Sequence, residues 1–126
     1  MYAITVRGRF KATHSVQIGA RPREAPHSHD WLVEVEVGAN ELDRDGLVMD
    51  FHALERLLNE CLSDFQGALL DELGDFAPSS PTAENVARAV FSRLQARLPD
   101  ERCALVRVTV WETESCGATY RPDRRA

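Results

Sequence analysis

The sequence predicts an α+β domain. Three observations carry that prediction: two long stretches near the start alternate apolar and polar residues, two amphipathic helical stretches follow, and alternation returns near the end. The order is β, β, α, α, β and a short final β. It implies a four-stranded antiparallel sheet with both helices on one face. At 126 residues the chain is one domain by size, placed at residues 1–120, with residues 121–126 expected as a mobile tail.

Residues 2 to 14 put Ile4, Val6, Phe10, Ala12 and His14 on one parity, against Thr5, Arg7, Arg9, Lys11 and Thr13 on the other, which is a half-buried strand. Gly19, Pro22 and Pro26 then mark a loop. A second strand, from about Pro26 to Gly38, aligns His27, His29, Trp31, Val33, Val35 and Val37 against Leu32, Glu34 and Glu36. After a turn-rich connection, Asp50 is placed to cap a helix whose buried stripe is Phe51, Leu54, Leu57, Leu58, Cys61, Leu62 and Phe65. Ala68 to Leu73 has room for one more helical turn. Ser80-Pro81-Thr82 supplies a capping hydroxyl for a second helix, with Val86, Val90, Leu94 and Leu98 as its stripe. The last long strand, Cys103 to Glu114, sets Val106, Val108, Val110 and Glu112 on one face, and Ala118-Thr119-Tyr120 forms the short one.

Composition narrows the function. A net charge of −5 argues against nucleic acid as a partner, because phosphate binding needs a basic surface. No apolar run is long enough to span a membrane and the N-terminus has no secretory signal, so the expected location is the cytoplasm. Cys61, Cys103 and Cys116 are odd in number and fit no paired spacing, which sets aside a disulfide framework or a cysteine-ligated zinc. A sheet of this kind leaves two edges and one face to cover, so a homo-oligomer is expected.

Chemistry concentrates around Glu24 to Trp31. Three of the four histidines, His14, His27 and His29, fall within 16 positions and all take the apolar parity at a strand end. Three imidazoles with a fourth position open is the donor set of a catalytic zinc, although imidazole also suits copper, iron or nickel; a hydrogen-bonded core histidine is the plainer reading of each alone. Glu112 continues a valine face, where a buried carboxylate needs a partner, such as the two N–H donors of a planar heterocycle, or else escapes to solvent at the strand end. Glu24 lies on the loop three residues before His27, in place to act as a general base or simply to be solvated. Cys116 lies four residues beyond Glu112 and is a nucleophile candidate only if the fold brings it to the site. His52 falls on the exposed side of the first helix and takes no role.

Five segments in order carry a resemblance: Phe10-Lys11-Ala12-Thr13-His14, His27-Ser28-His29-Asp30-Trp31, Gly46-Leu47-Val48-Met49-Asp50-Phe51, Pro81-Thr82-Ala83-Glu84-Asn85 and Val110-Trp111-Glu112-Thr113. Together they resemble the 6-pyruvoyltetrahydropterin and 6-carboxytetrahydropterin synthases over nearly the whole chain. The resemblance implies the tunnelling fold, ββααββ subunits joined as trimers and stacked into hexamers. It also implies zinc on His14, His27 and His29, and a reduced pterin held by Glu112 with Thr82. Two positions depart from that pattern. The catalytic cysteine expected before the HxH pair is missing, which leaves Glu24, as in a branch of the family that cleaves dihydroneopterin triphosphate to 6-hydroxymethyl-dihydropterin. The Asp-His pair of the family falls on Gln66 and Gly67, with Asp71 or Glu72 as possible replacements. The expected function is therefore a zinc-dependent reduced-pterin side-chain lyase with Glu24 as base. The alternatives are a pterin-binding member without catalysis, a 6-carboxytetrahydropterin synthase with altered acid-base residues, and a metal-stabilised oligomer.

Overall fold

The computed structural model describes residues 1–123. Two 13-residue strands, β1 (Tyr2–His14) and β2 (His27–Ala39), are followed by helices α1 (Phe51–Leu62) and α2 (Ala83–Gln95) and by strands β3 (Ala104–Trp111) and β4 (Gly117–Tyr120). A single 3-10 turn, Leu70–Glu72, lies between the helices, within the stretch where the sequence allowed an extra turn. The sheet is antiparallel in the order β1-β2-β3-β4. Of the expected tail, Arg121 to Asp123 has no regular secondary structure and residues 124–126 lie outside the described residues.

Period-two patterning explains the register. Val6 faces Val35, Phe10 faces Trp31, and His14 faces His27 across the β1–β2 pair. Val35 and Val33 continue onto Val108 and Val110 of β3. One face of the sheet is thus apolar from edge to edge and packs both helices in a single core. Gly8 on that face permits close approach: a Cβ there would lie 3.0 Å from Leu58 Cδ2 and 3.1 Å from Leu62 Cδ1 of α1. The helices start where their caps place them. Asp50 accepts a hydrogen bond from the His52 N–H at 2.7 Å, and Thr82 Oγ1 accepts one from the Asn85 N–H at 3.1 Å.

Three expectations need correction. Phe51 is exposed rather than part of the α1 stripe, being the first residue of the helix. Phe65 is buried but lies beyond α1, which ends at Leu62. In β3, the register shifts between Glu36 and Val37, so Val37 pairs with Leu105 while Glu36 pairs with Arg107. Val106 is the extra residue of that bulge. Leu105 therefore takes the core position expected for Val106, and regular alternation resumes at Val108. The bulge keeps Val108, Val110 and Glu112 on the core parity, although β3 itself ends at Trp111. Among the described residues, no helix is long and apolar enough to cross a membrane.

Candidate metal centre and pterin site

The core narrows to a polar end. Phe10 and Trp31 stack with ring centroids 5.7 Å apart, and Phe65 leans on Phe10 at 5.4 Å, which makes an aromatic floor under one end of the sheet. Above that floor β1 and β2 end together. Because His14 pairs with His27 and Ala12 with His29, all three imidazoles emerge on the same face of adjacent strands. Their rings meet edge to face, with centroids 4.5 Å apart for His14 and His27, 4.7 Å for His27 and His29, and 5.3 Å for His14 and His29.

Hydrogen bonds orient two of the three rings. His14 Nδ1 lies 2.7 Å from the Pro81 carbonyl oxygen, and His27 Nδ1 lies 3.1 Å from that of Ala25. A carbonyl only accepts, so both Nδ1 atoms carry a proton, which leaves the opposite Nε2 as the nitrogen available to a metal. Burial, with smaller contributions from His27 and His14, lowers the His29 pKa below the ordinary histidine value, against opposing pulls from Glu112 and Glu24. A backbone carbonyl on the far nitrogen, as at His14 and His27, is how ligating histidines are usually oriented.

Glu112 completes the group. Its Oε1 is 2.7 Å from His14 Nε2 and 3.3 Å from His29 Nε2, yet both nitrogens are buried without a hydrogen-bond partner. A carboxylate oxygen 2.7 Å from an imidazole nitrogen needs a cation between them, a proton on the ring or a metal ion, so convergence of the other donors is the test of a metal site. The donor set passes it. One donor atom from each of His14, His27, His29 and Glu112 lies within 4.8 Å of the others. Three imidazoles with one carboxylate suit zinc.

The other expected residues fall around this cluster. Glu24 is exposed on the loop between β1 and β2, its N–H donating to the Val16 carbonyl at 3.1 Å, and its charge reaches His29. Thr82 is partly buried and uses its hydroxyl as the α2 cap, leaving its O–H proton for a ligand. Cys116 stands in the β3–β4 turn, where its carbonyl accepts from the Glu112 N–H at 3.0 Å, while its thiol is exposed and lies 3.8 Å from Ser115 Oγ. His52 is exposed and pairs with Glu55 at 3.2 Å.

Gln66 and Gly67 tie the segment after α1 to the edge of β1. Gln66 Oε1 accepts from the Lys11 N–H at 2.9 Å, Gly67 donates to the Lys11 carbonyl at 2.7 Å, and Thr13 donates to the Ala68 carbonyl at 3.0 Å. This short segment lines the edge of β1 next to the histidines. Gly67 holds a φ of +75°, a conformation a histidine side chain disfavours. Asp71 is also committed: Oδ1 accepts from the Ser15 N–H at 2.9 Å and Oδ2 from Arg23 at 3.2 Å. It is not a free acid, and no local pattern signals a pairing across 56 positions.

The family described as 6-pyruvoyl tetrahydropterin synthase matches residues 3–123. An Archaeoglobus fulgidus protein provisionally named a 6-carboxy-5,6,7,8-tetrahydropterin synthase is 35% identical over 89% of each chain. The dihydroneopterin monophosphate aldolase of Pyrococcus furiosus is 31% identical over 90% of this chain and 92% of its own. Among solved structures, the 6-pyruvoyl tetrahydropterin synthase of Caenorhabditis elegans superposes with a TM-score of 0.82 at 23% identity, covering 97% of this chain and 96% of that one. Sequence match, strand order and site together place this chain in the 6-pyruvoyl tetrahydropterin synthase family, as an enzyme of its lyase type.

Proposed function

We propose that this protein is a zinc-dependent lyase that cleaves the C6 side chain of a phosphorylated dihydroneopterin, with Glu24 as general base. The observation that carries the reading is the convergence of three imidazoles beside a loop that bears a carboxylate and no cysteine. The similarity to a dihydroneopterin monophosphate aldolase across nine-tenths of the chain supports the substrate class.

His14, His27 and His29 would hold the metal, which supplies Lewis acidity to the side-chain hydroxyls when bound. The chain's own residues do the rest. Glu112 and Thr82 orient the pterin ring, the carboxylate by accepting from adjacent ring N–H donors and the hydroxyl by its remaining proton. Glu24 takes the proton of the 2′-hydroxyl. The C2′–O bond becomes a carbonyl, the C1′–C2′ bond breaks, and its electron pair enters the C6–N5 imine of the dihydropterin. A proton then returns to C1′, giving 6-hydroxymethyl-dihydropterin and a phosphorylated two-carbon aldehyde. The reading includes residues 1–120 as the working domain of a cytoplasmic homo-oligomer built from trimers into a hexamer. Free Cys61, Cys103 and Cys116 support the compartment.

The test is to incubate the zinc-loaded protein with dihydroneopterin mono- and triphosphate and separate the pterin products. We expect 6-hydroxymethyl-dihydropterin from one of them. Glu24→Gln should slow the reaction by roughly 10²–10⁴-fold with zinc content unchanged, the usual worth of a general base. No product, or an undiminished Glu24→Gln enzyme, sinks the proposal.

A second reading is a pterin-binding protein without turnover. It is favoured by the hydrogen bonds that commit Gln66 and Gly67 to β1, at positions where the resemblance implies an Asp-His pair. Calorimetry showing tight pterin binding with no product would establish it.

A further inference from the structure

We infer that Asp71 is a positioning residue: it clamps both ends of the loop that carries Glu24 and so sets where the Glu24 carboxylate stands relative to the histidines. The inference rests on the lyase reading for its catalytic consequence, and on geometry for the clamp itself.

The loop runs from Ser15 to Pro26 between two metal-site strands. Its first residue, Ser15, follows His14 and is buried; its N–H donates to Asp71 Oδ1 at 2.9 Å. At the other end Arg23, next to Glu24, donates to Asp71 Oδ2 at 3.2 Å. One carboxylate therefore bridges the entry of the loop and the residue beside the base. Between these ends the Glu24 N–H returns to the Val16 carbonyl at 3.1 Å, so the loop closes on itself and is pinned as a unit. The clamp is anchored in turn. Asp71 sits in the Leu70–Glu72 turn, whose Leu70 is buried in the core, and the preceding residue Leu69 bridges to Thr13 of β1. Glu24 itself has an exposed side chain, so its placement comes from these backbone and neighbour contacts.

The two oxygens do different work. The Ser15 bond is partly buried and would leave an unsatisfied N–H if lost, whereas the Arg23 pair is exposed and weak by itself. Asp71→Asn keeps an acceptor for Ser15 but removes the charge that holds Arg23; Asp71→Ala removes both. A graded response across this pair distinguishes the clamp from a general loss of folding.

The experiment uses the zinc-loaded full chain and three readouts. By hydrogen exchange, amides of residues 16–24 should lose about 10–100-fold of their protection in Asp71→Ala and less in Asp71→Asn, with β1, β2 and both helices unchanged. Zinc affinity, read by chelator competition, should stay within about 3-fold because Asp71 touches no imidazole. With the pterin that the wild-type chain turns over, kcat should fall by roughly 10²-fold in Asp71→Ala with little change in KM, the cost of displacing a catalytic group by about 1 Å. Unchanged exchange in Asp71→Ala, or unchanged kcat once the loop has loosened, overturns the inference. A wild-type chain that turns over no pterin overturns the lyase reading instead, and the exchange measurement then decides the clamp alone.

Discussion

The Nδ1–H of His14 donates to the Pro81 carbonyl at 2.7 Å, linking the end of β1 to the residue that precedes the α2 cap across 67 positions. This bond sets the tautomer of a buried ring and aims its Nε2 at the cluster. His14→Gln should therefore weaken zinc binding by more than the roughly 10–100-fold typical of losing an outer partner, since a ligand itself is removed. Pro81→Ala keeps the carbonyl and should leave the affinity nearly unchanged. Competition with a chromophoric chelator measures both.

A metal that binds only the folded site stabilises it, so its removal should lower stability. At free zinc of about 100 times Kd, linkage gives roughly 2.7 kcal/mol, and the melting temperature should fall by several degrees on chelation in wild type but not in His14→Gln. Calorimetric scans with and without chelator check this.

Glu112 tests whether its carboxylate serves the pterin. Glu112→Gln leaves three imidazoles, so zinc should remain bound, while pterin affinity should drop by about 1.5–3 kcal/mol, the worth of a hydrogen bond to a charged group. Titration calorimetry with the substrate pterin reads this directly. Loss of zinc with pterin binding intact would instead make Glu112 a metal ligand only.

Arg93 secures the segment behind the site. It donates to Asp75 through Nε at 2.8 Å and a terminal nitrogen at 2.7 Å, to Asp64 at 3.0 Å, and covers the Phe65 ring at 4.6 Å. Arg93→Ala should destabilise by about 2 kcal/mol, consistent with a hydrogen bond to a charged group plus lost packing. The Asp75 carboxyl is held below its ordinary value of 3.8, chiefly by its hydrogen bonds from Arg93. A depressed folded pKa stabilises above the unfolded value and is lost as pH falls through the folded one. The gap between wild type and Arg93→Ala in urea melts should thus be full at pH 7 and shrink below about pH 4.

Burial raises the thiol pKa of Cys61 and of Cys103, while Cys116 is exposed. A thiol reagent at pH 8 should modify one cysteine rapidly in the native protein and all three only in denaturant.

The sequence by itself determined the sheet, both helices and the three histidines, because those signals are local: parity along a strand, period along a helix and a capping residue at each start. It also put a carboxylate, Glu24, and no cysteine on the loop before His27. Tertiary structure decided the rest. The bulge at Val106 depends on pairing with β2, which no single strand encodes. The commitment of Asp71 to Ser15 and Arg23, and of Gln66 to Lys11, joins residues about fifty apart through turns of weak local preference. Which histidine nitrogen is free was likewise settled by carbonyls of Pro81 and Ala25, since a backbone acceptor leaves no trace in side-chain pattern.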